Sequence, residues 1–227
     1  MIVPTVSRRR LRRLMRGLRR DRSGVALVEF ALALPFVLGA TMAAAELANF
    51  TTTKMRVSQV ALHLADDGSR IGTGDLLSTK QITEAQINDL LVGADLQAGA
   101  LGLYAHGRVI LSSLEPVANP NPTDRYRVRW QRCRGTKSWS SHYGAQGDTG
   151  LTGLVMNGQT VKAPASGAII YVEVAYDYQP IIGARWLNMG PIVETAAMSV
   201  RDNREFMGPA GGVGIYNPAP VATVASC

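Results

Sequence analysis

Between residues 25 and 47 the chain is apolar at nearly every position, and only Glu29, Thr41 and Glu46 interrupt the run. Built as a helix rising about 1.5 Å per residue, it is roughly 34 Å long, enough to cross a hydrocarbon core of about 30 Å. The pattern then changes. Leu47, Phe50, Val57, Val60, Ala61 and Leu64 recur at helical steps while Lys54, Arg56, Gln59 and His63 fall between them. This continues the same helix as an amphipathic extension over residues 48–67. Asp66-Asp67-Gly68-Ser69 is expected to end it, with Gly68 as the cap. Thr83-Glu84-Ala85-Gln86 is a capping-box pattern opening a second, shorter helix with Ile87, Leu90 and Leu91 on its apolar face and Gly93 as its stop.

Beyond Leu101 the period becomes two. Arg108 to Leu114 reads as a strand, and Tyr126, Val128 and Trp130 alternate with Arg125, Arg127 and Arg129 to give a strand with a basic outer face. Ile170, Val172, Val174, Tyr176 and Tyr178 alternate with Glu173 and Asp177, and Ile192 to Val200 is a fourth strand. The class predicted is α+β: a long N-terminal helix, a second short helix and a small antiparallel sheet of about four strands. Residues 1–24 read as a basic leader, 25–47 as a transmembrane helix, 48–67 as its amphipathic extension, 68–205 as an extracytoplasmic domain, and 206–227 as a Gly/Pro-rich tail. Gly135 to Gly167 is rich in Gly, Ser and Thr and too long for a simple connection, so it reads as a mobile surface loop or a binding loop.

Charge sharpens this division. The net charge of +7 is confined to the start, where residues 1–22 hold nine arginines and one acid, Asp21. The rest of the chain is close to neutral, so the basicity belongs to a tail. Abutting a spanning segment, clustered arginines fix topology and stay on the cytoplasmic side. No base-reading module follows them, which argues against nucleic acid as a partner. Both cysteines, Cys133 and Cys227, then fall on the far side of the membrane, where a disulfide persists, within one chain or between two.

Candidate chemistry is sparse. His63, His106 and His142 lack metal-ligand spacing, so no metal site is predicted. Gly135-Thr136-Lys137-Ser138 resembles the end of a phosphate loop but inserts Thr136 and lacks the strand-to-helix setting. Gly208, Gly211, Gly212 and Gly214 do not form a dinucleotide fingerprint, and no serine occupies a nucleophile elbow. These readings point away from an enzyme and imply no cofactor. Pro35 cannot donate to the carbonyl of Ala31 and predicts a kink, and Gly39-x-x-x-Ala43 permits close approach of a second helix.

Glu29 is the anomaly. A carboxylate in a spanning helix costs roughly 2.5–3.5 kcal/mol at the bilayer centre and less near an end. It either snorkels to the cytoplasmic face or finds a cation inside the membrane. Cleavage after Gly24 would create one, since the α-amino group of Val25 lies one turn from Glu29 and can meet the Glu29 of a neighbouring subunit.

Basic leader, Ser23-Gly24, Val25-Ala26-Leu27-Val28-Glu29-Phe30, a run containing Pro35, then Glu46-Leu47 and a polar helical extension resemble the start of the TadE-like family. These are minor pilin-like (pseudopilin) proteins of tight-adherence, Flp-type IV pilus systems. The resemblance covers residues 19–70, and beyond them only the general pilin-like plan of a helix and a small sheet is similar. It implies that a prepilin peptidase cuts after Gly24, that Glu29 is the acid five places downstream, and that Phe30 is the aromatic beside it. It also implies a single pass through the inner membrane with a cytoplasmic N-terminus and a periplasmic domain. The partners implied are other pilins or pseudopilins and the pilus assembly platform, in an adhesive role. Two rivals remain: a periplasmic domain released by ordinary signal peptidase at Ala43-Ala44-Ala45, and an uncleaved single-pass binding protein.

Overall fold

The computed structural model describes residues 12, 15, 17, 22, 24–74, 78–156, 158–182, 189–209 and 212–227, and most of the leader expected over residues 1–24 lies outside them. The chain divides into two compact units, Met1–Ala48 and Asn49–Cys227. Helix α1 spans Val25–Arg70 and carries Pro35 inside it. In the second unit it is followed by α2 (Glu84–Ala98), a single 3-10 turn, a short helix α3 (Leu103–His106) and seven strands. These are β1 (Gly107–Pro116), β2 (Tyr126–Arg134), β3 (Thr149–Leu151), β4 (Leu154–Met156), β5 (Gln159–Val161), β6 (Ile169–Asp177) and β7 (Pro191–Ser199). The class is α+β, as the pattern predicts.

Five strands form one antiparallel sheet in the order β3-β2-β1-β6-β7, and β4 and β5 pair separately. The sheet is thus one strand wider than expected, because the Gly135–Gly167 stretch supplies β3 to its edge and folds its next residues into the β4–β5 hairpin. One face of the sheet packs against α2 and the second half of α1. The α1 residues buried there, Thr53, Val57, Val60, Ala61, Leu64, Ala65 and Gly68, form a single stripe at steps of three and four. They join Ile87, Leu91, Leu111, Trp130, Ile170 and Val172 in the main core. The other face is covered by the hairpin, where Leu154 and Met156 pack on Leu114, Val128, Ile169 and Tyr171. This explains β6: it is buried on both faces along nearly its whole length, so the outward position expected for Glu173 is an interior one.

Two helix ends differ from expectation for identifiable reasons. Gly68 does not terminate α1. It lies inside the helix, where a Cβ would sit 3.0 Å from Ile170 Cγ2 and 3.4 Å from Leu111 Cδ1, so glycine serves close helix–sheet contact. The final carbonyls are capped instead by Arg204, which donates to Gly68 O at 3.3 Å, Ser69 O at 3.0 Å and Ile71 O at 2.7 Å. An arginine reaching back from far along the sequence thus satisfies acceptors that a helix end leaves orphaned. Helix α2 begins with the expected capping box, Gln86 N donating to Thr83 Oγ1 and Thr83 N to Gln86 Oε1. It runs through Gly93 and stops at Gly99, whose φ of 56° only glycine adopts readily. Its packed residues on both sides of Gly93, Leu91 and Ala94, outweigh the roughly 1 kcal/mol that a mid-helix glycine costs.

The tail joins the domain. Cys133 and Cys227 form an intrachain disulfide 94 residues apart in sequence. Tyr216 N donates to Ile82 O and Glu84 N to Tyr216 O, Asn88 Nδ2 donates to Thr223 O, and Cys133 N donates to Ala225 O. Ile215 is buried in the main core.

Candidate functional site

The first half of α1 is the feature that the domain's packing does not explain. Leu27, Val28, Phe30, Leu32, Phe36, Val37, Leu38 and Met42 are all more than half exposed, and the exposed positions encircle the helix. A globular helix shows one apolar stripe; one that is apolar all round is made for an apolar surrounding. It is long and apolar enough to cross a membrane.

The residues singled out in the sequence fall into order along it. Gly24 forms the turn immediately before the helix, where Val25 N donates to Arg22 O at 3.2 Å and Val28 N to Gly24 O at 3.1 Å. Val25 is thus the first residue of α1. Glu29 follows one turn later on the same face, exposed, with Phe30 exposed beside it. The structure brings Gly24, Val25, Glu29 and Phe30 together on two successive turns. Gly39 and Ala43 are exposed one turn apart, and a Cβ at Gly39 would meet no atom within 4 Å. Thr41 Oγ1 donates to Leu38 O at 2.9 Å, which satisfies its hydroxyl within the helix.

In the second unit the buried charges are structural partners. Arg132 and Glu84 form an interior ion pair, with Arg132 Nε 2.9 Å from Glu84 Oε2, and Gln146 Oε1 accepts from Arg132 Nη1. Glu173 is 0 % exposed in mid-sheet and accepts from Ser141 Oγ and from His142 N at 3.0 Å. Glu115 is buried near the end of β1, 3.9 Å from Arg127 Nη2, and burial pushes its carboxyl up to about 7 against the pull of Arg129 and Arg127. The Arg125, Arg127 and Arg129 row on β2 is tied to its own fold. Arg125 reaches Gly150 O, Arg127 pairs with Glu115, and Arg129 reaches Met207 O. The arginine row was marked by the alternation of β2 and Glu84 lay in the capping-box pattern, but their buried partners carried no local signal. Glu173, which alternates with the apolar residues of β6, is an interior acid.

Among the described residues no group of His, Cys, Asp and Glu is placed to hold a metal ion. A cleft of about 640 Å³ opens beside Glu173, walled by Trp139, Tyr143, Leu154 and Val193. Glu173 is among its lining residues, and its carboxylate accepts the hydrogen bonds from Ser141 and His142.

A comparison with protein-family models finds no match, and neither does one with curated proteins or with solved structures. The likeness to TadE-like proteins therefore rests on the residues quoted for it in the N-terminal stretch.

Proposed function

We propose that this chain is a membrane-anchored minor pilin or pseudopilin, or a related pilus-assembly component of a tight-adherence system, processed after Gly24. The observation that carries the reading is the division of α1. Its first half presents apolar side chains on every side, while its second half supplies the central stripe of a disulfide-closed α+β domain. Such a chain works by lateral packing of one helix and display of a domain. In this reading residues 1–24 stay on the cytoplasmic side of the inner membrane and the domain stands in the periplasm. The disulfide favours that side, since such bonds persist in oxidising compartments. A prepilin peptidase removes the leader. Glu29 then answers the new α-amino group of Val25 on a neighbouring pilin, a pairing strengthened by low dielectric and lost when register is wrong.

Two features favour this over release by signal peptidase near Ala45. The apolar run exceeds the 7–15 residues of a signal-peptide core. Cleavage there would also separate the apolar half of α1 from the half that packs on the sheet. An uncleaved anchor differs only in its N-terminus. N-terminal sequencing of the washed membrane fraction decides among the three: Val25 supports the proposal, Glu46 the released domain, and an intact basic leader the uncleaved anchor.

A further inference from the structure

Three arginines face Glu115: Arg127 and Arg129 from β2, and Arg204 from the segment after β7. Arg204 donates to the carbonyls of Gly68, Ser69 and Ile71, and Arg129 Nη2 donates to Met207 O at 3.2 Å. The Arg127 side chain donates to none of the described residues. Its Nη2 lies 3.9 Å from Glu115 Oε2, beyond hydrogen-bond reach, and its Nε is buried without a partner. A guanidinium carries five donors and no acceptor, so one whose donors are unmatched attracts an anion.

Arg127 lines a cavity of about 450 Å³, together with Glu115, Val117, Ser166, Phe206 and Met207. Its side chain is 31 % exposed, so solvent reaches it. The walls are held by the backbone: Val117 N donates to Arg125 O at 3.0 Å, Gly167 N to Pro164 O at 3.1 Å and Glu205 N to Lys80 O at 2.9 Å. The cavity is thus preformed, and small-molecule sites commonly span roughly 300–1,000 Å³. Val117 and Met207 are exposed apolar surface that a bound group would take from water. One guanidinium with free donors matches one negative charge. A dianion would set its second charge against Glu115, since Arg129 and Arg204 are already engaged.

We propose that this cavity binds a small monocarboxylate with an apolar body, its carboxylate held bidentate by Arg127 and its body laid against Val117, Phe206 and Met207. Parallel N–H donation to a carboxylate is the geometry a guanidinium fork favours. Burial pushes the Glu115 carboxyl up to about 7, so near neutral pH it takes a proton from solvent as the anion enters and donates it as a hydrogen bond. None of this depends on how residues 1–24 are processed.

The test uses the full chain with its disulfide intact in detergent micelles, its methionine methyls labelled with carbon-13, and hydrocinnamate as the probe. The Met207 resonance, assigned from Met207→Leu, should shift saturably. Binding to Arg127→Met should be weaker by about tenfold or more, and to Arg127→Lys by several-fold, since lysine keeps the charge and loses the planar fork. Glu115→Gln should bind several-fold tighter at pH 8, where the native carboxyl is mostly ionised and repels the ligand. Partitioning into micelles is common to all these proteins and cancels in the ratios. Inorganic phosphate, with charge but no apolar body, should bind about tenfold more weakly or not at all. The proposal is overturned by any of four results: no saturable shift, either Arg127 variant binding as tightly as the native chain, Glu115→Gln binding no tighter at pH 8, or phosphate matching hydrocinnamate. An acetylated tripeptide ending in phenylalanine that binds far tighter than hydrocinnamate would assign the cavity to a chain terminus and overturn it too.

Discussion

Replacing Glu115 by Gln should alter how stability depends on pH. The carboxyl lies under the fold near the end of β1, with Ser113 Oγ at 3.4 Å and Arg127 Nη2 at 3.9 Å. Burial raises its pKa from 4.5 to about 7, the nearby Arg129 and Arg127 offsetting only part of the desolvation. An acid whose folded pKa is raised contributes stability that is fully present below pH 4.5. That contribution is lost as pH rises through 7, because the unfolded chain releases the proton first. The difference of 2.5 units, at 1.36 kcal/mol each, corresponds to about 3 kcal/mol. Glutamine keeps the shape and has no proton to lose. Urea unfolding of the detergent-solubilised protein between pH 4.5 and 8, followed by tryptophan fluorescence, should show the native chain losing about 3 kcal/mol relative to Glu115→Gln across that window. Other titrating groups act on both proteins and cancel in the comparison. Parallel pH profiles would refute the reasoning.

Arg204→Met removes three donors from the carbonyls of Gly68, Ser69 and Ile71 and leaves Asp202 with less positive charge; a loss of about 3–5 kcal/mol in unfolding free energy is expected. A loss below about 1 kcal/mol would mean that these carbonyls find water instead. Changing Cys133 and Cys227 together to Ser opens a closure of 94 residues and should cost about 4–5 kcal/mol on chain-entropy grounds, with residues 206–227 cut first in limited proteolysis. A tail equally resistant after the change would show that Ile215 and the hydrogen bonds hold it unaided. Glu29→Val should insert into membranes as well as the native chain or better, yet co-purify less with partner pilins. Unchanged assembly would leave the carboxylate without the partner assigned to it. Gly24→Val should stop processing and leave the leader on the membrane-bound chain, as read by intact mass.

Local signals were read well where local physics decides. The capping box at Thr83 and Gln86, the stripe from Val57 to Leu64, and the alternation in the first half of β2 all follow from short-range geometry that survives folding. Gly68 and Gly93 misled because glycine's preference for helix ends is weak beside packing. One sits against Ile170 and Leu111, and the other is carried by its buried neighbours Leu91 and Ala94. Strands β3 to β5 were hidden in a Gly/Ser/Thr-rich stretch because each is only three residues long and gains its order from the sheet it covers. Glu173 follows from the same cover: with the hairpin and the Ser141–His142 turn in place, an outward-facing acid becomes an interior one. Arg204 was invisible because its acceptors lie about 135 residues away. At the N-terminus the order of Val25, Glu29 and Phe30 along α1, with Gly24 in the turn before it, follows directly from the apolar run, and the role assigned to them is the proposal above.

The N-terminus of the native protein tests the central claim most directly. Intact mass and N-terminal sequencing of protein extracted from washed membranes should find Val25 as the first residue and require detergent to release it. A first residue at Glu46, an intact basic leader, or full recovery in a detergent-free wash would contradict the account.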